Sequence, residues 1–252
     1  MIKILKKINH LLNIFGLNLK KLISLIYLPK FIIDYVKFIC ILKKFVSMNP
    51  VLTDFFENAG NARGHYFHQD LLVSQFIFKD NPINHLDIAS RIDGFVAHVA
   101  SFRKIDVADI RKLNNKVDNI AFTQIDFMSN NSNNKKYHSI SCLHAIEHFG
   151  LGRYNDPIDI DGHLKGFKNI LNLLEKKGKL YISFPISNYP RIEFNAHRVF
   201  HPEDIFNWKG SKNLELLRFD YVDDFGELIK SSRTDCIKNT KYGCGIYTFI
   251  KI

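Results

Sequence analysis

Three observations predict an α/β protein built on a mostly parallel sheet. Beyond residue 80, strand-like runs recur at 85–88, 103–108, 120–125, 138–143 and 179–184, separated by helix-length segments or short polar loops. Such β–α alternation closes into a parallel sheet with helices on both faces. Two further runs, 214–222 and 245–252, are joined by a polar connection and add a terminal strand pair, making seven strands. The length is the third observation: 252 residues with 46% hydrophobic content suffice for one well-buried domain plus an appendage, and would be cramped for two.

The appendage is expected at residues 1–60, a basic amphipathic helical segment, with the α/β domain over 61–252. Residues 1–46 hold nine lysines against a single acid, Asp34, for a net +8 of the chain's +10. The rest is near neutral, which argues against a general nucleic-acid-binding surface. Helical apolar spacing in this segment breaks at Gly16 and at Pro29-Lys30. Lysines interrupt every apolar stretch before it reaches the roughly 18 residues of a bilayer span, and no small-residue cleavage site follows. Two or three amphipathic helices are expected, either packed as a cap on the main domain or lying on an anionic membrane surface. Cys40, Cys142, Cys236 and Cys244 form no CxxC pair, which predicts reduced thiols in a cytosolic protein and no cysteine zinc site. The patch "SNNSNNKK" (129–136) reads as a solvated loop.

In open parallel sheets the ligand lies at the carboxyl ends of the strands, so the residues after each strand are the candidates. The first strand runs through Asp87 into Ala89, Ser90 and Arg91, with Gly94 opening the next apolar run. The second ends at Asp109-Ile110, where an acid can hydrogen-bond a ribose diol. The third ends at Asp126-Phe127, a carboxylate beside an apolar face, and the fourth near Leu143. Acids at three successive strand ends suit a neutral or cationic nucleoside and would repel a pyrophosphate. S-adenosyl-L-methionine is therefore expected over a dinucleotide. Each acid alone also fits an ordinary helix cap or turn.

A five-strand parallel core followed by a terminal pair is the outline of the Rossmann-like class I methyltransferase fold. "CLHAIEH" resembles the element that follows its fourth strand, and "EKKGKL" its helix–glycine–strand segment. Ala89 departs from the glycine usual in its first turn. His144, Glu147 and His148 are the candidate catalytic residues. Their spacing places both histidines on one face of a helical turn, with either as general base and Glu147 orienting it. H-x-x-E-H is also formally an inverted zinc-protease motif, but one needing a long helix where Gly150 and Gly152 follow at once. A metal-assisted transferase would draw oxygen ligands from Asp156, Asp159 or Asp161. No metal is assigned. His65, His68 and His197 are the reserve candidates, with His201 near the last of them in sequence, each more ordinarily a structural hydrogen-bonder.

The runs "GHYFHQDLLVSQFIF" (64–78), "HLDIASRIDGFVAHVASFRKIDVADIRKL" (85–113), "SCLHAIEHFGLGRYNDPID" (141–159) and "NAHRVFHPEDI" (195–205) resemble a bacterial family known as domain of unknown function 268. The resemblance spans roughly residues 60–205. It implies a methyltransferase-like fold and a setting among genes for surface-polysaccharide synthesis. The expected function is S-adenosylmethionine-dependent O-methylation of a sugar or glycan acceptor. A non-catalytic Rossmann-like binding module at the membrane is the alternative.

Overall fold

The computed structural model describes residues 12, 16, 18–129 and 135–252. The start of the basic segment and most of the polar loop at 129–136 lie outside these residues. The chain divides into two compact units, Met1–Asn61 and Ala62–Ile252.

In the first unit, α1 (Leu19–Ser24) starts at Asn18, whose side chain accepts from Lys20 N–H at 2.9 Å and caps the helix. A 3₁₀ turn, Leu25–Tyr27, leads into α2 (Leu28–Leu42). Pro29 was expected to break the helical pattern; it stands instead in the first turn of α2, where its missing N–H costs nothing. Lys43 ends the helix in a left-handed conformation. Leu25 and Ile26 of the 3₁₀ turn and Ile33, Phe38 and Ile41 of α2 are exposed. No helix among the described residues is long and apolar enough to cross a membrane.

The second unit opens with α3 (His65–Asp80). It then alternates β1 (His85–Ile88), a π turn at Ile92–Val96 leading into α4 (Ala97–Ala100), β2 (Ile105–Asp109), β3 (Ile120–Gln124), β4 (Tyr137–Leu143), α5 (Gly162–Leu173) and β5 (Leu174–Ile186). A small hairpin, β6 (Arg191–Glu193) and β7 (His197–Val199), precedes α6 (Asp204–Asn207). The chain then ends on β8 (Leu214–Val222), β9 (Leu228–Ile229) and β10 (Gly243–Lys251). The sheet order is β3-β2-β1-β4-β5-β10-β8-β9. Pairings from β3 through β5 are parallel, and β10 runs antiparallel to both β5 and β8. The seven expected strands are present, with the two-residue β9 as an eighth on the edge. The order reverses between β1 and β4, and the cleft opens at that switch point.

Side-chain alternation along the strands divides the core between two faces. Ile140, Cys142, Leu180, Ile182, Phe184 and Phe249 face α5, where Phe167, Ile170 and Leu171 meet them. Leu143, Tyr181 and Ile246 face the other way, toward Leu72, Val73 and Ile77 of α3 and toward Phe95, Val96 and Val99. Full burial of each such side chain contributes about 1.5–3 kcal/mol, so these two layers fix the strand ends on which the site depends. One local expectation fails: the helix before β5 does not stop at the Lys-Gly of "EKKGKL". It ends at Leu173, and Lys177, not Gly178, takes the positive φ of 62°.

Candidate active site

The first turn after β1 is built from a buried carboxylate. Asp87 accepts from Ser90 Oγ (2.7 Å), from Ser141 Oγ on β4 (2.6 Å) and from the Ser90 N–H (3.0 Å). Burial pushes its carboxyl up to about 7, against these three hydrogen bonds. Expected to touch a cofactor, Asp87 lies beneath the cleft and holds the turn that lines it. Gly94 is also displaced from the expected role. It sits in the π turn beside α3, where an added Cβ would lie 2.7 Å from Asp70 Oδ2.

Ala89 makes the turn that glycine would make, at φ 60°, with its N–H donating to Ala108 O at 2.8 Å. The left-handed conformation costs an L-residue about 1–2 kcal/mol, and the looser unfolded chain of a glycine variant gives back about 0.4–1. Ala89→Gly is therefore expected to raise unfolding stability by about 0.5–1 kcal/mol in a denaturant titration. Binding of an adenosyl ligand should be unchanged or tighter. A clear loss of stability would mean that the methyl's packing outweighs the backbone strain.

A cleft is lined by Ala89, Asp109, Ile110, Asp126, Phe127 and His144, with Met128, Tyr154 and Asp156 around them. An adjoining cavity takes in Ser90, Arg91 and Leu143, together with Tyr66, Gln69 and Asp70 from α3. The expected strand-end residues thus converge, apart from Asp87 and Gly94. Asp126 accepts from the Met128 N–H at 2.8 Å. Asp109 is bound by Arg111, whose Nε donates at 3.0 Å to Oδ1 and Nη2 at 2.5 Å to Oδ2, while the guanidinium stacks 4.6 Å over Tyr154. Arg91 pairs with Asp93 and lies over the Tyr66 ring.

Arg111, Tyr154 and the α3 residues were not singled out from the sequence. Tyr66, Gln69 and Asp70 are spaced i, i+3, i+4, and one helix face presents all three to the cavity, which is the signal that was available. Burial raises the Asp70 carboxyl to about 6.

The "HAIEH" element departs from expectation. His144 leaves β4 with φ 50°, and only Ile146–His148 form a turn, of 3₁₀ type. The two histidines do not share a helix face, and the long helix of a zinc protease is absent. The strand holds His144 in place, its N–H donating to Ser183 O at 3.0 Å, so the chain turns before a helix can start. His144 Nδ1 faces Glu147 Oε1 at 2.7 Å and its Nε2 faces His65 Nδ1 at 3.1 Å. Glu147 is fully buried. Burial works to raise its carboxyl, but the His144 imidazole wins and holds it below the usual range.

His148 stands differently. Its Nδ1 lies 2.6 Å from Ala196 O, an acceptor only, so this nitrogen carries the proton and Nε2 keeps its lone pair. Burial lowers its pKa, which favours the neutral imidazole. His148 lines the strand-end cleft and also a second cavity walled by His65, Tyr66, Arg153, His197 and Tyr242.

The acidic loop on which a metal-assisted transferase would draw is a set of turns. Asp156 accepts from the N–H groups of Gly150, Gly152 and Tyr154 (2.8, 3.3 and 3.1 Å). Asp159 accepts from Asp161 N–H and pairs with Lys165. His201 shares a turn with Asp204, and His68 is half-buried and lines none of these cavities.

The fold is that of the class I methyltransferases. The [4+2]-cyclase SpnF superposes with a TM-score of 0.54 at 12% identity, over 77% of this chain and 85% of that one. The Burkholderia thailandensis 1,6-didemethyltoxoflavin-N1-methyltransferase, solved with its namesake compound and S-adenosylhomocysteine, gives 0.53 at 11%, over 73% and 78%. The N-methyltransferase NodS of Bradyrhizobium japonicum WM9 with S-adenosylhomocysteine gives 0.51 at 12%, over 81% and 93%. Residues 96–225, more than half of the chain, match the family described as "Caenorhabditis protein of unknown function, DUF268", and the chain belongs to that family. That description gives no support to the expected bacterial setting, and the match extends beyond residue 205 while leaving out 60–95. No curated protein matches the chain.

Proposed function

We propose that the chain is an S-adenosylmethionine-dependent methyltransferase acting on a hydroxyl of a sugar or glycan. A cyclase shares the fold, so the fold alone does not carry this reading. What carries it is a buried imidazole, His148, that lines both the strand-end cleft and the second cavity, its Nδ1 on Ala196 O and its Nε2 approached by Arg153 Nη1 at 3.5 Å and Glu147 Oε1 at 3.7 Å. The cleft suits an adenosyl group. Ile110, Phe127 and Met128 provide apolar walls, Asp126 lies beside them, and Asp109 stands at the end of β2 where a diol can be held. To hold it, Asp109 must share its carboxylate with Arg111, a half-exposed side chain. When bound, the cofactor supplies an electrophilic methyl on a sulfonium. The chain's own work is to bind, align the acceptor and take its proton at His148 Nε2. Tyr66 and Tyr242 give the second cavity aromatic faces, and Arg153 and His197 give it hydrogen-bonding groups, a combination suited to a sugar ring.

Calorimetric titration with S-adenosylhomocysteine tests the reading. Saturable binding is expected, weakened by roughly 1–3 kcal/mol in Asp109→Ala, the range for a buried hydrogen-bonding group left unmatched. Failure of the wild type and of Ala89→Gly to bind any adenosyl ligand would leave a binding module with no methyl donor.

A further inference from the structure

Three potential donor atoms meet at the floor of the second cavity, from parts of the chain far apart in sequence. They are His65 Nδ1 at the start of α3, His144 Nε2 after β4 and Cys244 Sγ on β10, all within 4.8 Å of one another. The two imidazole nitrogens are 3.1 Å apart. Around a tetrahedral zinc the bond lengths place nitrogen–nitrogen and nitrogen–sulfur pairs roughly 3.3–3.6 Å apart.

Glu147 can only accept, so the His144 Nδ1 that faces it carries a proton, and Nε2 turns toward His65. Two imidazole nitrogens at this distance share a cation, either a proton or a metal. A proton serves the two nitrogens alone, whereas a metal also engages the Cys244 sulfur, whose contacts to Gln69 Oε1 and Gly245 O are long, both at 3.7 Å.

We propose that His65, His144 and Cys244 form a binding site for a zinc-class divalent metal, with one coordination position open to the second cavity. Two imidazoles and a thiolate suit zinc or its neighbours and not a hard ion such as magnesium. Glu147, buried behind His144, completes the carboxylate–histidine–metal arrangement that fixes the tautomer and raises ligand basicity. Three protein ligands with an open fourth position are the pattern of a site that binds substrate, not of a closed structural one. The open position faces Tyr66, His148, His197 and Tyr242, and an oxygen or sulfur of the acceptor would reach it there. The proposal stands on this geometry and does not depend on methyl transfer.

Cobalt(II) is the probe. Purified full-length protein, stripped with chelator and titrated with Co²⁺, is expected to take up one equivalent with intense visible bands of tetrahedral type and a sulfur-to-cobalt charge-transfer band in the near ultraviolet. Zn²⁺ should abolish both. Cys40 is exposed, so Cys40→Ser must leave the spectrum unchanged. Cys244→Ser should lose the charge-transfer band while keeping the wild-type circular dichroism, and His65→Asn should weaken Co²⁺ binding at least tenfold. A wild-type spectrum without the charge-transfer band, or one lost in Cys40→Ser, would overturn the assignment. So would His65→Asn binding as tightly as wild type; this reading and the wild-type spectrum do not require that either cysteine variant fold.

Discussion

His148→Asn is expected to lower turnover by about 10²–10⁴-fold, the usual worth of a positioned general base, with the dissociation constant for S-adenosylhomocysteine little changed. Asparagine retains a hydrogen-bonding group near Ala196 O, so the loop has a substitute for the 2.6 Å contact, but it cannot take a proton near neutral pH. His144 is not an equivalent base in this geometry. Its two nitrogens face Glu147 and His65, leaving no lone pair turned to an acceptor. His144→Asn should therefore behave as the loss of a positioning residue: cobalt uptake falls together with turnover, whereas His148→Asn keeps the cobalt spectrum. Full methyl transfer by His148→Asn to the true acceptor would move the base to His197, the imidazole on that cavity wall that is not a proposed metal ligand.

Much of the sheet was legible because its signals are local. Alternation and β-branched runs gave β1 at 85–88 and β8 at 214–222 to the residue, and the ends of β1, β2 and β3 carried Ala89, Asp109 and Asp126 to the cleft with them. Pairings made by the fold were not legible. Nothing near Asp109 announces that Arg111, two residues on, will fold back over it and stack on Tyr154. Asp87 has the look of a ligand in sequence, but its partner Ser141 arrives from β4, fifty-four residues away. The "HAIEH" spacing was read with a helical period, whereas the strand persists to Leu143 and His144 turns through a left-handed conformation. The donors at 65, 144 and 244 share no spacing at all. Only the parallel register of β4 with β5, the antiparallel return of β10 and the packing of α3 on that face bring them together.

Arg198→Met is expected to destabilise the second unit by about 2–4 kcal/mol, as several buried carbonyls lose their donor, and to reduce turnover with it. Arg198 comes from the hairpin strand β7 and is buried, with its guanidinium spread over backbone carbonyls and not over a carboxylate. Nη1 donates to Phe149 O at 2.6 Å and Glu147 O at 3.4 Å; Nη2 donates to Ile160 O at 3.0 Å and Asp159 O at 3.3 Å. Those carbonyls belong to the loop that carries His148, so a single side chain clamps both ends of it. Methionine fills much of the same volume but leaves buried carbonyls without donors, at a cost of roughly 1–3 kcal/mol for each one that water does not reach. Arg198→Lys separates charge from geometry. A lysine keeps the positive charge among Asp156, Asp159 and Asp161, yet its single ammonium cannot span four carbonyls. It should recover part of the stability and little of the turnover, because His148 then hangs on a loop fastened at one end. Urea titration of the three proteins checks the first claim, and turnover measured where each is still fully folded checks the second. A methionine variant within 1 kcal/mol of wild type would mean that the loop is held by its own turns at Asp156 and Asp159, with the arginine incidental.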